Sequence, residues 1–381
     1  MNASLQSFLV LCQFLAVNQG PETIERIRHE IKIDAVDWES IVKIANQQLV
    51  SPALWVSLMN KGLDEDLPDE LKCYLSGLHN LNLQRNILIK QQAEEIIRSL
   101  NEIGIEPILL KGAALLFTNA FTDSGTRIME DLDIMVLGKD VKQSWKTLST
   151  LGYRACDPNE RVDERSHHLP AMIRDSDPAA IELHTQLFDW HDRIVVLTAA
   201  DCFKEAATIK TKCLSYKVLS LPHFIIHNIL HIEVHHLHFY SGKLSLRQLL
   251  DFAVISNRQS HAIDWKSIED RMEEHGIRRI YRSYLYMAVS LLNARVPCAF
   301  GFTIGSKIHL KRRFLVYGSN RLQGLSWVCT DPVRLCQIVK RNLTIERLKI
   351  LSGYSGGVED LNKDRLKYLL YLVRKYVLNK K

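Results

Sequence analysis

Residues 131–136 read Asp-Leu-Asp-Ile-Met-Val, two carboxylates two positions apart inside an apolar run. In an extended chain successive side chains alternate faces, so Asp131 and Asp133 point one way while Leu132 and Ile134 point the other. Such a strand can bury its apolar face under helices and project both acids into one cleft. Two carboxylates that close repel and raise a pKa unless a cation sits between them. A hard divalent ion such as Mg²⁺ takes oxygen ligands in this arrangement. A solvent-exposed strand face with two inert aspartates is the competing explanation.

A second stretch, Ala-Ala-Ile-Glu-Leu-His-Thr-Gln-Leu at 179–187, repeats the alternation. Glu182, His184 and Gln186 share one face, and Ile181, Leu183 and Leu187 the other. If the two strands are neighbours, Glu182 completes a three-carboxylate cluster. Such a cluster holding two Mg²⁺ ions is what phosphoryl or nucleotidyl transfer needs: one ion activates a hydroxyl, and the other neutralises a triphosphate and its leaving pyrophosphate. Upstream, Lys111 and Gly112 stand at a strand-to-helix junction, where glycine admits a close phosphate and a helix N-terminus favours an anion. Lys111 adds a positive charge there, and Arg127 can clamp phosphate oxygens bidentately. The pair is not a Walker A loop, whose glycine-lysine pattern is absent.

With 381 residues, 46% of them hydrophobic, the chain can build two or three cored units. Apolar positions at three- and four-residue spacing predict helices through residues 1–100, with Asp37 as an N-cap and Gly104 as a stop. Short apolar runs near 107–110, 131–136, 167–173 and 179–187 predict strands, and helical periodicity returns from about 200, with Ser220 as an N-cap. The expected fold class is α+β, a small mixed-sheet core flanked by N- and C-terminal helical regions. Its expected divisions are a helical region 1–100, a catalytic core 101–200, a helical region 201–296 packing on that core, and a basic, mostly helical region 297–381.

The Lys111–Gly112 junction, Arg127 four residues before Asp131, the Asp131/Asp133 strand and the Glu182 strand together resemble the uncharacterised nucleotidyltransferase family of the DNA polymerase β-like superfamily. The superfamily carries Gly-Gly or Gly-Ser on its first helix turn, a strand with paired acids and a third acidic strand. Lys111-Gly112 here departs from that first element. The resemblance extends over residues 100–290 and runs on through a His-bearing and an Asp-bearing helix. It implies catalysis and metal binding by Asp131, Asp133 and Glu182. Nucleotide contacts would come from Lys111, Gly112, Arg127 and His184.

His223, His227, His231 and His235 recur every four residues, and His238 follows three later. On a helix they form one stripe. Three readings stand: a hydrogen-bonded seam between helices, a cleft wall built by His227, His231 and His235, or a metal site. His-Ile-Glu-Val-His at 231–235 is not the His-Glu-x-x-His of zinc proteases. Asp251 with Arg247 four residues earlier reads as a structural ion pair, or as part of a histidine–aspartate metal hydrolase centre.

The expected activity is therefore Mg²⁺-dependent transfer of a nucleoside monophosphate from an NTP to an acceptor hydroxyl, on a sugar, small molecule, protein or RNA. The alternatives are a non-catalytic binding or assembly module on the same fold, and a metal phosphohydrolase centred on the histidine helix. Eight scattered cysteines without a disulfide or zinc pattern point to the cytoplasm. No run is apolar enough to span a membrane, and the apolar N-terminal stretch reads as a core helix, not a signal peptide. From residue 300 onward 17 Lys/Arg face 5 Asp/Glu, a basic region suited to nucleic acid, anionic lipid or an acidic partner, or simply a solvated helical surface.

Overall fold

Leu132 and Ile134 are fully buried, and their strand lies at the heart of the architecture. A computed structural model describes residues 3–157, 167–188, 195–297 and 302–319. Helices α1 (Ala3–Leu15), α2 (Pro21–Lys32), α3 (Trp38–Gln47), α4 (Ser51–Asn60) and the 34-residue α5 (Asp69–Glu102) come first. Next are β1 (Ile108–Leu109), α6 (Lys111–Phe117), β2 (Asp131–Met135), α7 (Val141–Thr150), β3 (Arg154–Ala155), β4 (Met172–Ile173) and β5 (Ala180–His184). Helix α8 (Ala199–Glu205) leads into β6 (Ala207–Lys210) and β7 (Ser215–Val218). After α9 (Leu221–Leu230) and a π-turn over His231–His235 come α10 (His238–Ser241), α11 (Leu246–Gln259), α12 (Trp265–Glu274), α13 (Arg278–Leu292) and α14 (Ile304–Tyr317).

The strands form one mixed sheet in the order β3-β4-β5-β2-β1-β7-β6. Strand β2 pairs antiparallel with β1 and parallel with β5, in the register Asp131↔Ala180, Asp133↔Glu182 and Met135↔His184. This is the α+β class expected from the sequence. The apolar sheet face, with Leu109, Leu132, Ile134, Ile181 and Leu183, packs with Ile89, Ala93, Ile96 and Ile97 of α5, Ala113 and Ala114 of α6, and Leu148 of α7. Each large aliphatic side chain so buried contributes roughly 1.5–3 kcal/mol. That packing fixes the register, because a one-residue slip would turn the acids inward.

Several boundaries follow their predicted signals. Asp37 accepts a hydrogen bond from the Ser40 amide at 3.1 Å. Gly104 ends α5 at φ +78°, in the left-handed region that glycine enters at little cost. Ser220 precedes α9 without a side-chain cap. Strands β6 and β7 lie in a stretch whose periodicity reads as helical; four-residue strands carry too few alternations to announce themselves.

The described chain forms two units. The larger, residues 3–236 with 245–311, contains the whole sheet. The smaller includes residues 237–244 and 312–319; in it Arg312 donates to the Tyr240 carbonyl at 3.2 Å. Most of the expected basic, mostly helical region 297–381, from residue 320 onward, lies outside the described residues. No described helix is long and apolar enough to cross a membrane.

Candidate active site

Parallel pairing of β2 with β5 sets Asp133 directly opposite Glu182, and Asp131 lies two residues along the same face. Asp133 and Glu182 are thus side by side, with Asp131 on the same face of β2. Their environments differ. Asp133 is 1% exposed, and its Oδ1 accepts from Lys111 Nζ at 2.7 Å and from His184 Nε2 at 2.8 Å. Glu182 Oε2 lies 3.5 Å from His184 Nε2 and 3.9 Å from Lys111 Nζ. The Asp131 carboxylate has no hydrogen bond or ion pair among the described residues. It faces a cavity of about 280 Å³ shared with Lys111, Gly112, Arg127 and Glu182.

The titration behaviour follows from this geometry. Burial would raise the Asp133 carboxyl, but the Lys111 ammonium and the His184 bond hold it well below the usual carboxylate range. Burial likewise opposes the Lys111 charge, and Asp133 keeps its pKa above the ordinary lysine value. Glu182 is lowered: desolvation pushes it up, and the His184 bond with the Lys111 charge outweighs that. Asp131 moves the other way, to about 6, through burial and repulsion from Asp133.

Lys111 is the first residue of α6, just after β1, with φ +44°. A lysine in this left-handed conformation costs about 1 kcal/mol, and the ion pair it makes offsets that strain. Next to it, Gly112 is required by contact. A Cβ there would stand 2.8 Å from the Met129 side chain and closer still to the Arg127 guanidinium.

Arg127 reaches the cavity wall, but its guanidinium is engaged. Nε donates to Asp251 Oδ1 at 2.9 Å and Nη2 to Oδ2 at 2.9 Å. The expected Arg247–Asp251 pair is therefore replaced. Arg247 pairs with Glu130 at 2.9 Å, and Asp251 crosses to Arg127 because both are nearly buried and match as fork and carboxylate. The loop carrying Arg127 hangs on a polar stripe of α5. Asn82 and Asn86 both donate to the Arg127 carbonyl, at 3.1 and 2.9 Å, and reach the Gly125 and Ser124 carbonyls at 2.7 and 2.6 Å. Arg85 bonds the Met129 carbonyl, and Gln92 the Ala179 carbonyl at the start of β5 at 2.8 Å. The His79–Asn82–Asn86 spacing within an otherwise apolar face was the available signal.

The histidines divide. His227, His231 and His235 line the cavity, joined by His167, His168 and His236. His223 turns away to Glu205 and to Arg271, each at 3.2 Å. The π-turn breaks the expected continuous stripe: the His236 amide donates to the His231 carbonyl at 2.9 Å, and the wider turn delivers both His235 and His236 to the wall. Their rings touch, with centroids 4.8 Å apart for His167–His235 and 4.5 Å for His231–His236. His227 Nε2 is buried without a hydrogen-bond partner among the described residues. Burial, then Lys111, pushes the pKa of both His227 and His231 well below 6.5. His184 lies behind the cavity wall, fully buried against Asp133.

Among the described residues, three donor groups converge closely only at Asp133, Glu182 and His184, and Lys111 Nζ already pairs with Asp133 there. Asp131 stands outside that set, on the cavity side of the same strand face. The carboxylates of the two strands offer oxygen donors, which suit a hard divalent ion better than a soft one. Asp251 lines the same cavity as the histidines, but both its carboxylate oxygens accept from Arg127.

The sequence pattern of a family described as an uncharacterised nucleotidyltransferase matches residues 34–293. The chain belongs to this family. The match spans α3 to α13 and with them the sheet, the acidic strands and the histidine-lined cavity. No curated protein and no solved structure matches the chain.

Proposed function

We propose that this nucleotidyltransferase family member catalyses Mg²⁺-dependent transfer of a nucleoside monophosphate from an NTP to an acceptor hydroxyl. The observation that carries the reading is the Asp133↔Glu182 register on parallel strands, with Asp131 beside it on the cavity wall. The acceptor oxygen bonds to the α-phosphorus, and the bond to pyrophosphate breaks with its electron pair leaving on the pyrophosphate oxygen. The hydroxyl proton passes to Glu182 or through it to water. A bound divalent ion would lower the hydroxyl pKa and screen the phosphate charge.

In this reading Asp131 and Glu182 hold the metal from the cavity side, and Asp133 completes the cluster from behind while orienting Lys111 and His184. Lys111, Arg127 and Arg247 supply positive charge to the triphosphate. Gly112 lets the Arg127 guanidinium and the nucleotide approach the backbone. The neutral imidazoles of His227 and His231, with His235, form the wall that meets the base or the acceptor. The acceptor is a sugar, a small molecule, a protein or an RNA. The cysteines described, all unpaired, fit a reducing cytoplasm.

Incubation of the purified chain with each α-labelled NTP, Mg²⁺ and fractionated cytosolic RNA, protein or metabolites tests the reading. Label transfer lost in Asp131→Asn and Glu182→Gln is expected. Absence of NTP binding at every Mg²⁺ concentration would favour the binding-module alternative instead.

A further inference from the structure

We infer that Lys111 is the resident cation of this centre: its ammonium takes the place of one of two metal ions, and the chain holds a single divalent ion, on Asp131 and Glu182. The inference deepens the transfer reading and rests on it.

Three observations carry it. First, Asp133 Oδ1 already accepts from Lys111 at 2.7 Å and His184 at 2.8 Å. The residue is 1% exposed and lies behind the cavity wall. An ion arriving there must displace an ammonium whose side chain is itself only 19% exposed. Separating a buried pair leaves an uncompensated charge and is strongly unfavourable. Second, Lys111 Nζ reaches two carboxylates, Asp133 Oδ1 at 2.7 Å and Glu182 Oε2 at 3.9 Å. That is the bridging location a metal shared by two acids would take. Lys111 keeps a side chain here although its backbone, at φ +44°, is of the kind glycine enters at least cost. Third, Asp131 makes no hydrogen bond or ion pair among the described residues and opens on the cavity, so it is the acid placed to take an arriving cation.

Of the neighbouring charges, Asp251 is matched by Arg127 and Glu130 by Arg247, while Lys111, Arg247 and Arg85 act on Asp131 only from a distance, without an ion pair. A fixed lysine also differs from a metal in use: it cannot be lost to a chelator, and it offers N–H donors to a phosphate oxygen without needing a coordination site.

Mn²⁺, whose free form gives an electron paramagnetic resonance signal, counts the ions directly on the full chain, with and without a non-hydrolysable NTP analogue. One Mn²⁺ per wild-type chain, lost in Asp131→Asn, is expected. Lys111→Met is expected to take one more Mn²⁺ than wild type, and adding Asp133→Asn to it is expected to return the count to one. That double variant removes both halves of the buried pair and serves as the folding control should Lys111→Met alone not fold. Two Mn²⁺ on the wild-type chain, one of them lost in Asp133→Asn, would overturn the inference and leave the transfer reading intact. No Mn²⁺ bound in the presence of the analogue would overturn both.

Discussion

Arg127 and Asp251 form a bidentate ion pair between the loop before β2 and helix α11, and its guanidinium lies against the bare Cα of Gly112. The side chains are 12% and 4% exposed, so each is the other's main compensation for lost solvent. Asp251→Ala leaves a buried guanidinium unpaired and is expected to destabilise by about 3 kcal/mol or more, read as a lower urea midpoint. Arg127→Met/Asp251→Leu should recover most of that stability while nucleotide affinity stays impaired. Full recovery of both would assign Arg127 a purely structural role.

Gly112 has a helical environment that alanine ordinarily favours. Here the added methyl would meet Met129 at 2.8 Å and the Arg127 guanidinium. Gly112→Ala is expected to destabilise by roughly 1–3 kcal/mol through overpacking and to weaken nucleotide binding by shifting Arg127. Thermal unfolding and calorimetry check both parts; an alanine variant more stable than wild type would contradict the contact.

Asp131 and Asp133, two residues apart, are expected to respond with opposite sign when neutralised in chelator-treated buffer. The Asp131 pKa is raised to about 6 in the fold, so its charge opposes folding. That penalty is absent at pH values below the unfolded value near 4 and complete once pH rises past 6. Asp131→Asn should thus stabilise the chain by roughly 1 kcal/mol at pH 7, discounted for its partial exposure, and by little at pH 4. Asp133 is held low by Lys111 after its burial is overcome. Its contribution is present above pH 4 and falls away only as pH drops toward that depressed value. Asp133→Asn at pH 7 leaves Lys111 without its partner and is expected to destabilise by about 3 kcal/mol. Equal effects from the two variants would refute the distinction.

The alternation of Asp131–Val136 and of Ala180–Leu187 made both strands and their shared acidic face legible, because a five-residue strand with one buried face has only one register. Lys111 and Gly112 were legible as a junction, but the direction of the lysine was not, since it depends on a positive φ that sequence pattern favours for glycine. Pairings across some forty residues or more were out of reach. Arg127 with Asp251, the hold of α5 on the Arg127 loop, and the contact of His167 with His235 depend on how the elements dock. Local spacing even pointed to the wrong partner, Arg247, for Asp251. The histidine stripe misled at its ends, because a π-turn changes the period from within.

The unpaired Asp131 also sets a pH dependence for cation binding. A carboxylate must be deprotonated to hold a divalent ion, so below its pKa protons compete. Burial and Asp133 place that pKa at about 6, well above an ordinary aspartate. Apparent Mn²⁺ affinity of the wild-type chain is expected to be level above pH 7 and to fall roughly tenfold per pH unit below 6. Glu182 cannot produce this inflection, because its own pKa is displaced downward, the desolvation of its carboxylate being overcome by the His184 bond and Lys111. The neutral His227 and His231 gain no charge near pH 6, being pushed well below it by burial and by Lys111. Titrations at pH 5, 6, 7 and 8 at constant ionic strength check the profile. An affinity unchanged down to pH 5 would mean that Asp131 is not the cavity-side ligand.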